Sequence, residues 1–119
     1  KEGSTVEEFT GVYVMSVASR LLEMHPQTVR KYERFGLVTP ARTIGIRRLY
    51  SEKDISRLGA IKYLVDETGL NLAGVELALG LVDQLLDLKR QVSQEQSADN
   101  LQPIVHDGIE RMLQILGAS

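Results

Sequence analysis

The chain has 119 residues, 43% hydrophobic and 25% charged, which suits one compact domain with a separate dimerisation segment and excludes a disordered polymer. It has no cysteine, which removes disulfides, thiolate metal sites and thiol switches and agrees with a reducing, cytoplasmic setting; no apolar run approaches membrane-spanning length and nothing at the start reads as a signal peptide. The net charge of −2 conceals a polar distribution: residues 20–48 carry seven Lys/Arg against two acids, whereas residues 49–119 carry six against eleven, so attraction for a polyanion is concentrated in one block.

In chain order, residues 1–11 are a polar leader expected to be flexible, and Val12-Tyr13-Val14 reads as a short strand. Ser16 is the expected N-cap of a first helix, about 16–24, burying Val17, Ala18, Leu21 and Leu22. His25-Pro26 breaks the chain and opens a second helix, with His25 at the cap and Pro26 at the first position, where its missing N–H would be unpaired anyway. Gly36 ends that helix as a left-handed cap and Leu37 supplies the apolar contact that follows. Residues 38–50 read as a hairpin with its tip at Thr43-Ile44-Gly45 and with Arg47 and Arg48 on the return strand.

Ser51-Glu52-Lys53-Asp54 then has the form of a capping box, starting a third helix to about Glu67 with Ile55, Leu58, Ile61, Leu64 and Val65 as its buried stripe. Gly69 stops it and Asn71 caps a fourth helix carrying Leu72, Val75 and Leu79, with Gly80 as a hinge position. A heptad seam follows, Ala78, Leu81, Leu85, Leu88 and Val92, spaced 3-4-3-4 and read as a dimerisation face. Polar residues 93–100 interrupt it, and a last helix, about 101–116, aligns Leu101, Val105, Ile109, Met112 and Leu116. The expected fold class is mainly α: a winged helix-turn-helix DNA-binding domain over 12–82 with a small β-hairpin wing, then a dimerising helical arm and short C-terminal helix over 83–119.

The chemistry lies in residues 26–37. As a helix they place Gln27, Arg30, Lys31 and Arg34 on one face, with Val29 and Phe35 opposite. A short helix with one basic, hydrogen-bonding face is what a reader of the DNA major groove requires, and Arg offers guanine a bidentate fork that Lys cannot match. Gln27 and Thr28, at the helix start, suit base-edge or phosphate hydrogen bonds. Arg42, Arg47 and Arg48 belong to the wing and suit the backbone or minor groove. Three residues have two readings each. Tyr32 packs its ring or touches a phosphate through its hydroxyl, Tyr50 does either as well, and Ser16 is a cap or a phosphate contact. His25 and His106 are far apart, without Cys or a His/acid pair at ligand spacing, so no metal and no cofactor is expected. No Gly-rich phosphate loop, nucleophile elbow or carboxylate pair with a partnered His points to an enzyme.

These elements and residues resemble the MerR family of bacterial transcription regulators. The match lies in Tyr13-Val14-Met15-Ser16-Val17-Ala18, Thr28-Val29-Arg30-Lys31-Tyr32-Glu33-Arg34-Phe35-Gly36-Leu37, Pro40-Ala41-Arg42 and Arg48-Leu49-Tyr50-Ser51-Glu52-Lys53-Asp54-Ile55. Lys31 departs from the pattern, since many members carry the first Tyr of a Tyr-Tyr pair there. Met24-His25-Pro26-Gln27-Thr28 and Gly69-Leu70-Asn71-Leu72-Ala73-Gly74-Val75 resemble the heat-shock repressor (HspR-like) branch. The resemblance implies a homodimer on an inverted-repeat operator, acting as a stress repressor, with a DnaK-type chaperone as co-regulator. Two rival readings are a small-ligand-responsive activator of the same family, for which the stretch after residue 82 leaves little room, and a helical protein–protein adaptor, against which the basic helix and wing argue.

Overall fold

The computed structural model describes residues 12–45 and 47–118, so the leader expected at 1–11 lies outside the described residues. The described elements are β1 (Val12–Val14), α1 (Met15–Leu22), α2 (Pro26–Arg34), β2 (Arg42–Ile44), β3 (Arg47–Ser51), α3 (Glu52–Asp66), α4 (Leu72–Gln94) and α5 (Ala98–Ile115). They form two compact units, one ending at Gly69 and one beginning at Leu70. The mainly helical winged helix-turn-helix expected from the sequence is the observed fold.

In the first unit α1 packs against α2, α3 and β3. Their apolar positions converge on one core, in which Ala18, Val29, Tyr50, Leu58 and Ile61 are completely buried. Burial of each large side chain there contributes roughly 1.5–3 kcal/mol. β3 is the central strand of a three-stranded sheet in the order β1-β3-β2, antiparallel throughout. Tyr13 pairs with Tyr50 on one side of β3, and Thr43 with Arg48 on the other. The wing is therefore anchored, through β1, to the strand that leads into α1.

Local chemistry sets the helix ends. His25 Nδ1 accepts from the Gln27 N–H at 3.0 Å and Pro26 takes the first position of α2. At its far end the Gly36 N–H donates to the Glu33 carbonyl and the Leu37 N–H to the Tyr32 carbonyl, with Gly36 at φ +76° and Leu37 buried. α1 ends in the same pattern, but its left-handed residue is Glu23, at φ +52°. Lys62 compensates by donating from Nζ to the Leu22 carbonyl at 2.9 Å, a cation at a helix C-terminus. Two further ties run from α3: Asp54 Oδ2 accepts from the Ala41 N–H and Arg57 Nε donates to the Leu37 carbonyl. Ser51 and Asp54 form the reciprocal capping box expected for α3.

Several expectations are corrected. Ser16 is not a cap: α1 starts at Met15 directly from β1, with Val14 in the capping place and no side-chain cap. The pairing of Val14 with Leu49 carries strand geometry up to the helix, leaving no turn for Ser16 to close. The wing tip falls later than expected, because Thr43 and Ile44 are still paired with Arg48 and Arg47 of β3 and the left-handed turn residue is Gly45, at φ +59°. Phe35 does not join the apolar face of α2 but is 53% exposed; Tyr32 is buried in its place.

In the second unit α4 runs unbroken through Gly80, so the boundary expected between residues 82 and 83 falls inside a helix. Asn71 Oδ1 caps it by accepting from the Gly74 N–H. α5 begins earlier than expected, because Glu95 Oε2 accepts from both the Ser97 N–H and Asn100 Nδ2 and closes the turn ahead of it. These bonds also hold the Glu95 carboxyl below the usual range, Asn100 first and Ser97 second. α5 packs on α4 through a face offset from its apolar stripe. Gly108 is buried beneath Leu88, Arg111 Nε donates to Gln84 Oε1 at 2.9 Å, and Ile115 lies against Gly80. Val105, Ile109 and Leu116 remain exposed. The contact face centres on a glycine, which a search for apolar side chains passes over.

Candidate nucleic-acid interface

Three clefts in the first unit sort the candidate residues. A cleft of about 220 Å³ is lined by Val14, Met15, Ser16, Arg30, Arg47 and Arg48. The start of α1, the exposed face of α2 and the central strand meet there, so a helix start with no side-chain cap stands beside three guanidiniums. Backbone N–H groups at a helix start and fixed positive charge both favour an anion. Gln27, Arg30, Lys31 and Arg34 are all exposed, as the helical spacing required.

A second cleft, about 240 Å³, is lined by Glu33, Arg34, Val38, Thr39, Pro40 and Arg48. Arg48 is thus shared between the two basic clefts. Its position is set by Glu33, whose Oε1 faces Arg48 Nε at 3.3 Å. The other carboxylate oxygen accepts from the Tyr50 hydroxyl at 2.9 Å. Tyr50 is fully buried with its hydroxyl so engaged, which favours packing over a phosphate contact. Burial first, then the Glu33 hydrogen bond and charge, push its phenol well above the ordinary value near 10, against smaller opposing effects of Arg48 and Arg30.

Thr28 and Tyr32 stand apart from these clefts. They line a third, about 200 Å³, with Glu23, Met24, His25, Lys62 and Asp66. Burial, and then the charge of Asp66, raise the Tyr32 phenol. Tyr32 therefore lines the cleft on the α3 side, with Lys62 and Asp66, and not the arginine cleft. Lys31 Nζ lies 6.0 Å from the Tyr32 ring centroid, at the outer limit of a cation–π contact. The Arg42 side chain lies outside the described ones. Glu33 is the residue that the sequence reading missed. Its signal was an acid inside a basic block, facing an Arg and a Tyr two apart on a strand.

The seam residues all lie on α4. Leu85 is 52% exposed and Val92 is exposed, while Ala78, Leu81 and Leu88 are half-buried. Leu88 is already packed on Gly108 of its own chain. Among the described residues no helix is long and apolar enough to cross a membrane, and no group of three His, Asp or Glu side chains is placed to hold a metal.

Residues 13–80 match the model of the MerR HTH family regulatory proteins. HspR of Streptomyces coelicolor is 44% identical over 87 residues, which are 73% of this chain and 58% of that protein. The transcriptional regulator GlnR of Bacillus cereus is 31% identical over 83% of this chain and 78% of its own. The transcriptional repressor CarH of Myxococcus xanthus is 28% identical over 85% of this chain but 33% of its own. The match thus spans little more than half of HspR. No solved structure gives a significant match. The family expected from the α2 and β3 residues is the one found: the chain belongs to the MerR family of helix-turn-helix regulatory proteins.

Proposed function

We propose that the chain binds double-stranded DNA as a homodimer at an inverted-repeat operator and acts as a stress-linked transcriptional repressor at the bacterial nucleoid. The observation that carries this is the convergence of Ser16, Arg30, Arg47 and Arg48 on one cleft beside the exposed Gln27–Arg34 face. In this reading α2 enters the major groove, with Gln27, Arg30, Lys31 and Arg34 available to base edges and phosphates. Arg42, Arg47, Arg48 and the start of α1 hold the backbone. Residues 12–82 serve as the DNA-binding domain and 83–119 as the dimerising arm and tail, with Ala78, Leu81, Leu85, Leu88 and Val92 as the seam. The likeness to HspR, named as a heat shock protein, supports the link to stress, and that to CarH, named as a transcriptional repressor, supports repression. The branch resemblance supports a DnaK-type chaperone as co-regulator, and the exposed Val105, Ile109 and Leu116 of α5 offer an apolar face for one.

Binding titrations at two salt concentrations test the reading. Affinity should fall by about three to five orders of magnitude between ~50 and ~200 mM salt if a dimer neutralises roughly six to ten phosphates. Arg30→Ala should cost roughly 1–3 kcal/mol at one base pair per half-site, whereas Arg47→Ala should weaken all sequences nearly equally. Salt-independent binding, or no preference for duplex over free nucleotides, would remove the proposal.

A further inference from the structure

Strand β3 alternates its side chains, so Arg48 and Tyr50 share one face. Glu33 lies on the flank of α2, three residues beyond Arg30 and four beyond Val29, between the exposed and buried faces. Its side chain is only 11% exposed. One carboxylate therefore joins the reading helix to the central strand twice, through the Tyr50 hydroxyl at 2.9 Å and the Arg48 Nε at 3.3 Å. The wing base is also tied to α3, where Asp54 Oδ2 accepts from the Ala41 and Ser51 N–H groups. Arg48 keeps 52% of its side chain exposed and lines both basic clefts, so its Nε is held by Glu33 while its terminal nitrogens are left for an anion. Glu33 is the one acid among the residues that line these two clefts, where Arg48 stands with Arg30, Arg34 and Arg47.

We propose that Glu33 is a positioning residue: by holding Arg48 and Tyr50 it fixes the wing relative to the reading helix, and so sets how sharply the protein discriminates its operator from other duplexes. This rests on the DNA-binding reading above. It makes a prediction of unusual sign. Glu33 is an acid beside the phosphate-facing arginines, so if it acted by charge alone its removal would strengthen binding to every duplex. A positioning role demands weaker binding to the operator alone.

The test uses the full chain and a duplex selected from a random pool by the wild-type protein; failure to select any duplex would overturn the DNA-binding reading itself, before Glu33 is touched. Affinities for the selected and a scrambled duplex are measured for wild type, E33Q, R48Q, E33Q/R48Q and Y50F. E33Q should lose about tenfold on the selected duplex and nothing on the scrambled one. Because Glu33 acts through Arg48, the double variant should be little worse than R48Q alone. Y50F, which keeps the Arg48 ion pair, should fall between wild type and E33Q. If E33Q binds the selected duplex as well as or better than wild type, or its loss adds fully to that of R48Q, the proposal is overturned. Should E33Q melt below the assay temperature, Y50F decides: lost discrimination upholds the proposal, and unchanged discrimination overturns it.

Discussion

Tyr50 joins stability to the candidate interface through a single hydroxyl. Its phenol is raised by burial and then by Glu33, so the folded state holds that proton more tightly than the unfolded chain. The contribution is complete below the ordinary phenol value near 10 and is lost as pH rises above it. Denaturant midpoints measured from pH 8 to 11 should therefore drop more steeply past pH 10 for the wild type than for Tyr50→Phe; parallel curves would contradict the assignment. Ser19 offers a test of opposite sense. Its hydroxyl is buried in the middle of α1 without a hydrogen-bond partner among the described residues. Replacing it with Ala removes an unpaired polar group and improves helix propensity, and should raise stability by about 1 kcal/mol in chemical unfolding. A destabilised Ser19→Ala would mean that the hydroxyl has a partner after all.

Among the elements, α4 and α5 meet tightly at Gly108. A Cβ built there would stand 2.8 Å from Leu88 Cδ1 and 3.2 Å from its Cγ, so the whole isobutyl group is in the way and not merely its tip. Gly108→Val should cost roughly 1–3 kcal/mol by overpacking, and Leu88→Ala in the same chain should recover part of that loss. Thermal melts of the two single variants and the double variant give the coupling directly; purely additive losses would separate the two residues. The same elements show what was legible. Caps were read correctly at His25-Pro26, Gly36, Ser51–Asp54 and Asn71, because a cap is decided by residues within one turn of it. The helical spacing of Arg30, Lys31 and Arg34 was readable for the same reason. What escaped depended on distant partners. Ser16 lost its capping role to the β1–β3 pairing, Glu33 gained its role from the register of β3, and the packed face of α5 turned on a residue with no side chain.

At the scale of the whole molecule, the proposal requires two copies, because a single reading helix spans too few base pairs to define an operator. Leu85, half exposed on α4, is the residue to test. Burying it and its symmetry mate contributes roughly 1.5–3 kcal/mol per side chain, so Leu85→Glu should shift the protein towards monomer and abolish tight operator binding. The winged unit should still fold, as seen by circular dichroism. Sedimentation showing an unchanged dimer would move the interface elsewhere, with the exposed Ile109 of α5 as the next position to change.

Sequence-specific reading of duplex DNA by a dimer can be checked by selecting ligands for the purified chain from a random duplex pool and sequencing the survivors. The survivors should share an inverted repeat whose half-sites lie a whole number of helical turns apart, at multiples of about 10 bp. A pool that survives without a shared motif, or that carries a single unrepeated half-site, would contradict it.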